Sequence, residues 1–218
     1  MVGENGSGKS TLIKLMVGQY EPQSGTIKID GTDIVDYTPA ELAAIYGVMF
    51  QDVAHVAVPI REFVTLSDGA FDRERFCDAI AKAGCKKILD DSVAREETIM
   101  GLGLDLEKAR EFSGGEWQRL ALARLFYADP DVFVMDEPTA ALDAKAEYQF
   151  FEQLRELGKQ HQIIMVSHRL SIARLSTKII YFSDEGIFVD THNNLLENVP
   201  SYKDLYEMQR SLYFGTEA

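Results

Sequence analysis

Near its start the chain reads Gly3-Glu4-Asn5-Gly6-Ser7-Gly8-Lys9-Ser10-Thr11, a match to the pattern G-x-x-x-x-G-K-[ST]. No other stretch restricts the fold as strongly. Glycines let the backbone curl until successive N–H groups converge on one anion, and the helix that follows directs its positive end at the same point. Lys9 then reaches the β and γ phosphates of a nucleoside triphosphate, and the Ser10 hydroxyl can ligate magnesium. Such a loop hangs between a buried strand and a helix, which implies an α/β fold. The helix is legible as TLIKLMVG, closed by Gly18. Ahead of the loop stand only Met1 and Val2.

The rest of the chain supplies the layers. SGTIKIDG alternates Ile27 and Ile29 with polar neighbours, the period of a half-buried strand. Thr38-Pro39-Ala40-Glu41 is a capping box with proline at the first helical position, and IYGVMF reads as a buried strand ending at Gln51. From about 54 to 120 the pattern turns helical: IREFVTL, then DRERFCDAIAKAG between an Asp72 cap and a Gly84 stop, then KKILDDS. A helix WQRLALARLFYA, a strand DVFVMD, a long helix from about Ala144 to Leu157 and a strand IIMVS follow. KIIYFSDEGIFVD reads as a hairpin turning at Asp184-Glu185-Gly186, and a polar helical tail begins near Asn194. Strands alternating with helices predict a parallel sheet covered on both faces.

Composition narrows the partners. With 35 acidic against 22 basic side chains the net charge is −13, which opposes a polyanionic partner such as nucleic acid. Cys77 and Cys85 are the only cysteines and have no metal-ligand spacing, which suits a reducing compartment. No apolar run approaches the ~20 residues needed to span a bilayer, and no signal-peptide pattern opens the chain.

Two further stretches carry chemistry. VFVMDEP ends an apolar strand in Asp136, suited to the magnesium shell, and Glu137, suited to orienting and polarising an attacking water. Phe112-Ser113-Gly114-Gly115-Glu116 is a second small-residue turn at a helix start, where another anion can dock.

Together these motifs resemble the ATP-binding domain of ABC transporters, whose signature is usually LSGGQ. Gln51 stands at the family's Q-loop position, Ala140-Ala141-Leu142-Asp143 matches its D-loop, and Ser167-His168-Arg169 matches its switch histidine, all in family order. Phe112, Glu116 and Ala140 depart from the commoner Leu, Gln and Ser, and the Gly-Glu pair that exporters often carry before the signature is absent. The resemblance implies a P-loop, RecA-like core over 1–53 and 121–192, an inserted α-helical subdomain over 54–120 and a C-terminal helical tail over 193–218. It also implies catalytic roles for Glu137, His168 and Gln51. ATP contacts fall to Gly3, Glu4, Asn5, Gly6, Ser7, Gly8, Lys9, Ser10, Thr11, Ser113, Gly114, Gly115 and Asp143, and Mg²⁺ contacts to Ser10, Gln51 and Asp136.

In this family two such domains join head to tail, so that Ser113 and Gly115 of one cap the γ-phosphate held by Lys9 of the other. The expected partners are therefore a second ATP-binding domain and transmembrane domains, with the chain at the cytoplasmic face of the cell membrane. IREFVTL and DTHNNLLENVPSYKDLYEMQ are similar to bacterial exporter-type domains. Other readings are an importer-type subunit, a non-catalytic truncated remnant, or a DNA-maintenance ATPase of the SMC or repair type. The last inserts long coiled coils or zinc modules between loop and signature, where this chain has a short helical stretch. Family members also carry a central strand before the loop, preceded by an element whose aromatic residue stacks on adenine. An amino-truncated domain is therefore expected, short of about three buried side chains worth ~1.5–3 kcal/mol each and with impaired ATP binding.

Overall fold

A computed structural model describes residues 1–4, 6–66, 71–101, 107–139, 142, 144–168 and 170–214. They form two compact units, Met1–Leu42 with Ile164–Ala218, and Ala43–Ile163.

The first unit opens with β1 (Val2–Gly3), the phosphate-loop segment and α1 (Lys9–Met16). β2 (Lys28–Ile29) and β3 (Thr32–Asp33) follow as an antiparallel hairpin. The strand expected over SGTIKIDG is thus cut short, because Asp30 and Gly31 both take positive φ, 50° and 89°, as a two-residue hairpin turn demands. Ile27 and Ile29 are half-buried between exposed neighbours, as their alternation predicts. α2 (Pro39–Ile45) starts with the expected capping box: Thr38 N–H donates to Glu41 Oε2 at 2.7 Å, and Glu41 N–H to Thr38 Oγ1 at 3.3 Å.

In the second unit β4 (Tyr46–Met49) leads to α3 (Ile60–Thr65), α4 (Arg73–Lys82) and α5 (Lys86–Asp90). Asp72 caps α4, accepting from Arg75 N–H at 3.0 Å. β5 (Ile99–Met100) and β6 (Ala109–Arg110) form a short parallel pair inside the stretch read as helical. Two residues per strand are too few to produce a visible period. Then come α6 (Gly114–Ala128), β7 (Val132–Asp136), α7 (Ala144–Leu157) and β8 (Gln162–Val166), which starts beside β7 through Gln162 N–H to Asp131 O. β4 and β7 are parallel, with Val48 opposite Val134 and Met49 opposite Met135.

α6 is the centre of this unit. Its apolar residues surround the axis, Leu120, Ala121, Leu122 and Ala123 being buried, so it can be covered on all sides. It packs against α3, α4 and β4.

The chain then returns to the first unit with α8 (Leu170–Ala173), β9 (Ile179–Ser183), β10 (Gly186–Asp190), α9 (His192–Asn198) and α10 (Pro200–Phe214). β9 and β10 are the expected hairpin, from Ile179 opposite Asp190 to Ser183 opposite Gly186. The C-terminal segment is polar in composition, yet it buries Leu195 of α9, Val199 at the break between the two helices and Tyr202 of α10. They join Val2, Leu170, Ala173, Ile179 and Tyr181 in one buried cluster.

Gly47 on β4 has a steric reason. A Cβ there would sit 2.4 Å from Pro130 Cγ and 2.5 Å from Leu125 Cδ1, so α6 and β4 approach closely only because this position is bare. Gly47→Ala is expected to destabilise the protein by ~1–3 kcal/mol, measured as a lower midpoint of chemical unfolding with an unchanged slope.

Candidate functional site

The first unit gathers the phosphate loop and the switch histidine. Backbone hydrogen bonds bracket Met1 as in a parallel ladder: Met1 N donates to Met165 O at 2.5 Å and Ser167 N–H to Met1 O at 3.1 Å. On the other side Val2 pairs with Tyr181 and Gly3 with Phe182 of β9. The residues ahead of the loop, expected to be too few for a strand, are thus engaged on both sides, with Val2 only 5% exposed. His168 directly follows the bracketing Ser167.

Gly3 has φ +146°, and a Cβ on it would stand 2.5 Å from Phe182 O. The first glycine of the motif is therefore required by packing alone. Gly6 and Gly8, by contrast, take φ +79° and +97° with open space where a side chain would go, leaving the loop backbone accessible. Gly8 is the N-cap of α1, so the first N–H groups of the helix open on the loop. The buried Lys9 Nζ donates to Gly3 O at 3.0 Å, Glu4 O at 2.5 Å and Ser7 Oγ at 3.3 Å. The buried Lys9 ammonium thus lies against the loop at the start of α1, where a cation and the first helical N–H groups together favour an anion. Ser10 and Thr11 are exposed in the first turn.

The second unit gathers the acidic pair and the Q-loop glutamine. Because Met49 lies opposite Met135, β4 and β7 end together, and Gln51 follows at the same end as Asp136 and Glu137. Asp136 is 4% exposed, whereas Gln51 is open to solvent. Glu137 holds a left-handed backbone with φ 52°, which costs a non-glycine residue ~1–2 kcal/mol. Its carbonyl is fixed by the buried Gln118 of α6, whose Nε2 donates to Glu137 O at 3.0 Å.

The signature turn caps the same helix. Ser113 is the N-cap of α6 in a complete capping box: Glu116 Oε2 accepts from Ser113 N–H at 2.9 Å and from its hydroxyl at 3.0 Å. Arg110 binds the other oxygen of Glu116 through Nη2 at 2.6 Å, while its Nη1 donates to Ile88 O at 3.2 Å and Ser92 Oγ at 3.1 Å. The guanidinium also lies 4.8 Å over the ring of Phe112. Both departures from the usual signature, Phe112 and Glu116, are thus tied to one arginine. Sequence reasoning missed this, although the S-x-x-E spacing at 113–116 repeats that at 38–41. Behind the turn, Trp117 stacks on His55 at 4.4 Å between ring centres, joining the segment after Gln51 to the signature helix.

Asn5, Ala140, Ala141, Asp143 and Arg169 lie outside the described residues. Among the described residues no helix is long and apolar enough to cross a membrane.

The sequence profile of the family described as ABC transporter matches residues 1–140. This chain belongs to the ABC transporter family. It is 33% identical over 211 residues to the nisin transport ATP-binding protein NisT of Lactococcus lactis, covering 94% of this chain and 34% of that one. To the leukotoxin translocation ATP-binding protein LktB of Mannheimia haemolytica it is 34% identical over 212 residues, covering 96% of this chain and 29% of that one. The structure of a bacterial Atm1-family ABC exporter with ATP bound superposes with a TM-score of 0.86 at 28% identity, over 96% of this chain and 36% of that one. The P-loop α/β fold of ABC ATPases is thereby established. The chain spans about a third of the length of the curated relatives it matches.

Burial pushes the Glu116 carboxyl upward, but the hydrogen bonds from Ser113 and the charge of Arg110 outweigh it and hold it below the ordinary carboxylate range. A depressed folded-state value stabilises the protein above the unfolded pKa and loses that effect as pH falls through the folded one. Glu116→Gln, which restores the commoner signature, is therefore expected to be less stable than the parent at pH 7. The difference should begin to shrink as pH drops below about 4.3 and vanish only once pH has fallen through the lower folded-state value, and paired urea unfolding curves across that range check it.

Proposed function

We propose that this chain is the ATP-hydrolysing motor of an ABC exporter, working as a head-to-tail pair beneath transmembrane domains on the cytoplasmic face of a membrane. The observation that carries this reading is the open, positive-φ backbone at Gly6 and Gly8 beside the buried Lys9, whose ammonium is held by Gly3 O, Glu4 O and Ser7 Oγ. The resemblance to exporter ATP-binding proteins over nearly the whole chain supports the coupling to export.

In this reading the loop N–H groups and Lys9 bind the β and γ phosphates, and the sugar and base lie beyond the loop. Ser10, Asp136 and Gln51 would hold Mg²⁺, which supplies charge neutralisation at the transferring phosphoryl group; hydroxyl, carboxylate and amide oxygens are the donors that ion prefers. Glu137 accepts the proton of the attacking water as its oxygen bonds to the γ phosphorus, and ADP leaves with the bridging oxygen. His168 contacts the γ-phosphate. Ser113, Gly114 and Gly115 of one protomer close over the nucleotide of the other, and Asp143 is a further ATP contact. The domain plan that goes with this is a RecA-like core over 1–53 and 121–192, a helical subdomain over 54–120 and a C-terminal tail over 193–218.

Fluorescent nucleotide titration and a phosphate-release assay test the reading. Lys9→Ala is expected to lose Mg-ATP binding. Glu137→Gln should retain binding while turnover falls by about a hundredfold or more, with nucleotide-trapped dimer accumulating on size exclusion. Hydrolysis by Glu137→Gln at the parent rate overturns the assignment of the base, and an affinity for Mg-ATP indifferent to Lys9→Ala overturns the ATP site.

A further inference from the structure

The segment carrying His168 is held from an unexpected direction. Gln209, on α10, directs its side-chain amide at the backbone on both sides of position 169. Its Nε2 donates to His168 O at 2.7 Å, and its Oε1 accepts from Leu170 N–H at 2.9 Å. One carboxamide thus makes the donor and acceptor pair that a neighbouring β-strand would make. The Leu170 N–H belongs to the first turn of α8, where helical donors have no partner within the helix, so Gln209 serves as a cap supplied from 39 residues away.

The clasp has a firm base. α10 is anchored by Tyr202, fully buried, with Leu205 and Tyr206 packed against the cluster that contains Val2, Leu170 and Ala173. The opposite end of the same turn is fixed by Ser167 N–H to Met1 O. The His168 backbone is therefore held on one side by the strand that launches the phosphate loop and on the other by the C-terminal helix. Only an amide meets both demands at 209. Glutamate keeps the acceptor but loses the donor, and leucine loses both.

We propose that Gln209 is a positioning residue for His168, so that α10 sets the rate of ATP turnover without touching nucleotide. This rests on the ATPase reading above. A shift of α10 releases the His168 carbonyl and the α8 cap together, and with them the backbone that carries the imidazole. The C-terminal helix is then a control element for the switch rather than an appendage.

The test compares the parent 218-residue chain with Gln209→Leu, Gln209→Glu, His168→Ala and the double variant His168→Ala/Gln209→Leu. Steady-state ATP hydrolysis is measured beside two readouts that need no turnover: amide exchange at Leu170 and the ring resonance of His168, one of 4 histidines and assigned by its loss in His168→Ala. Gln209→Glu is expected to lower kcat about tenfold, the effect of ~one net hydrogen bond, and Gln209→Leu, which loses both, at least as much, with KM for ATP unchanged. Leu170 exchange should speed up and the His168 resonance should shift or broaden. In the His168→Ala background Gln209→Leu should cost nothing further, because the group it positions is gone.

A kcat within twofold of the parent in both variants overturns the proposal, as does an equal fractional loss with and without His168. If Gln209→Leu fails to fold, Gln209→Glu decides by the same readouts. A parent chain that binds and hydrolyses no ATP sinks the ATPase reading. The clasp is then judged by Leu170 exchange and the His168 resonance, and unchanged values in the variants overturn it.

Discussion

The phosphate loop of this chain depends on a parallel contact only a few residues long. Met1 is bracketed by Met165 and Ser167, and Val2 and Gly3 pair with Tyr181 and Phe182. Without that contact the loop has no fixed origin, because its first glycine is at once the last residue of the strand. The same pairing buries Val2 in the cluster that also holds Leu170, Leu195 and Tyr202. The phosphate loop, the His168 turn and the C-terminal helices of the first unit therefore share one foundation, and the packing of Gly3 against Phe182 O is its tightest point.

In the second unit α6 has the corresponding role. Its first turn presents Ser113, its second sends Gln118 to the carbonyl of Glu137, and its far end meets β4 at Gly47. Trp117 adds a stacked contact with His55. One rigid element thus joins the signature turn, the carboxylate pair and the segment after Gln51. A helix buried on most of its surface has little freedom to move any one of these alone.

Much of this was legible in the sequence because it depends on short-range chemistry. The loop pattern, the Asp72 and Thr38 caps, the apolar strand ending in Asp136-Glu137 and the hairpin at 184–186 are each written within a few residues. The two-residue strands β5 and β6 were not, since they are shorter than any period. Nor were the features that join distant positions: Gly47 against Pro130, Arg110 gathering Ile88, Ser92 and Glu116, and Gln209 reaching His168. Nothing near Gln209 marks it, because its meaning depends on a backbone folded against it from 41 residues earlier. The Asp30-Gly31 turn and the Ser113…Glu116 box were readable signals that the strand period and the signature resemblance overshadowed.

In the proposed ATPase reading, Glu137 is where folding and chemistry oppose each other. A left-handed φ of 52° suits glycine, and a glycine there would relieve the backbone while the Gln118 bond to the carbonyl could remain. Selection for a sturdier fold alone would erode the carboxylate. Under the proposed role of Glu137 as the base, a descendant released from hydrolysing ATP is expected to drift toward glycine or asparagine at this position and to become more robust as it falls silent, so that the residue at 137 serves as a record of whether a lineage still spends its nucleotide.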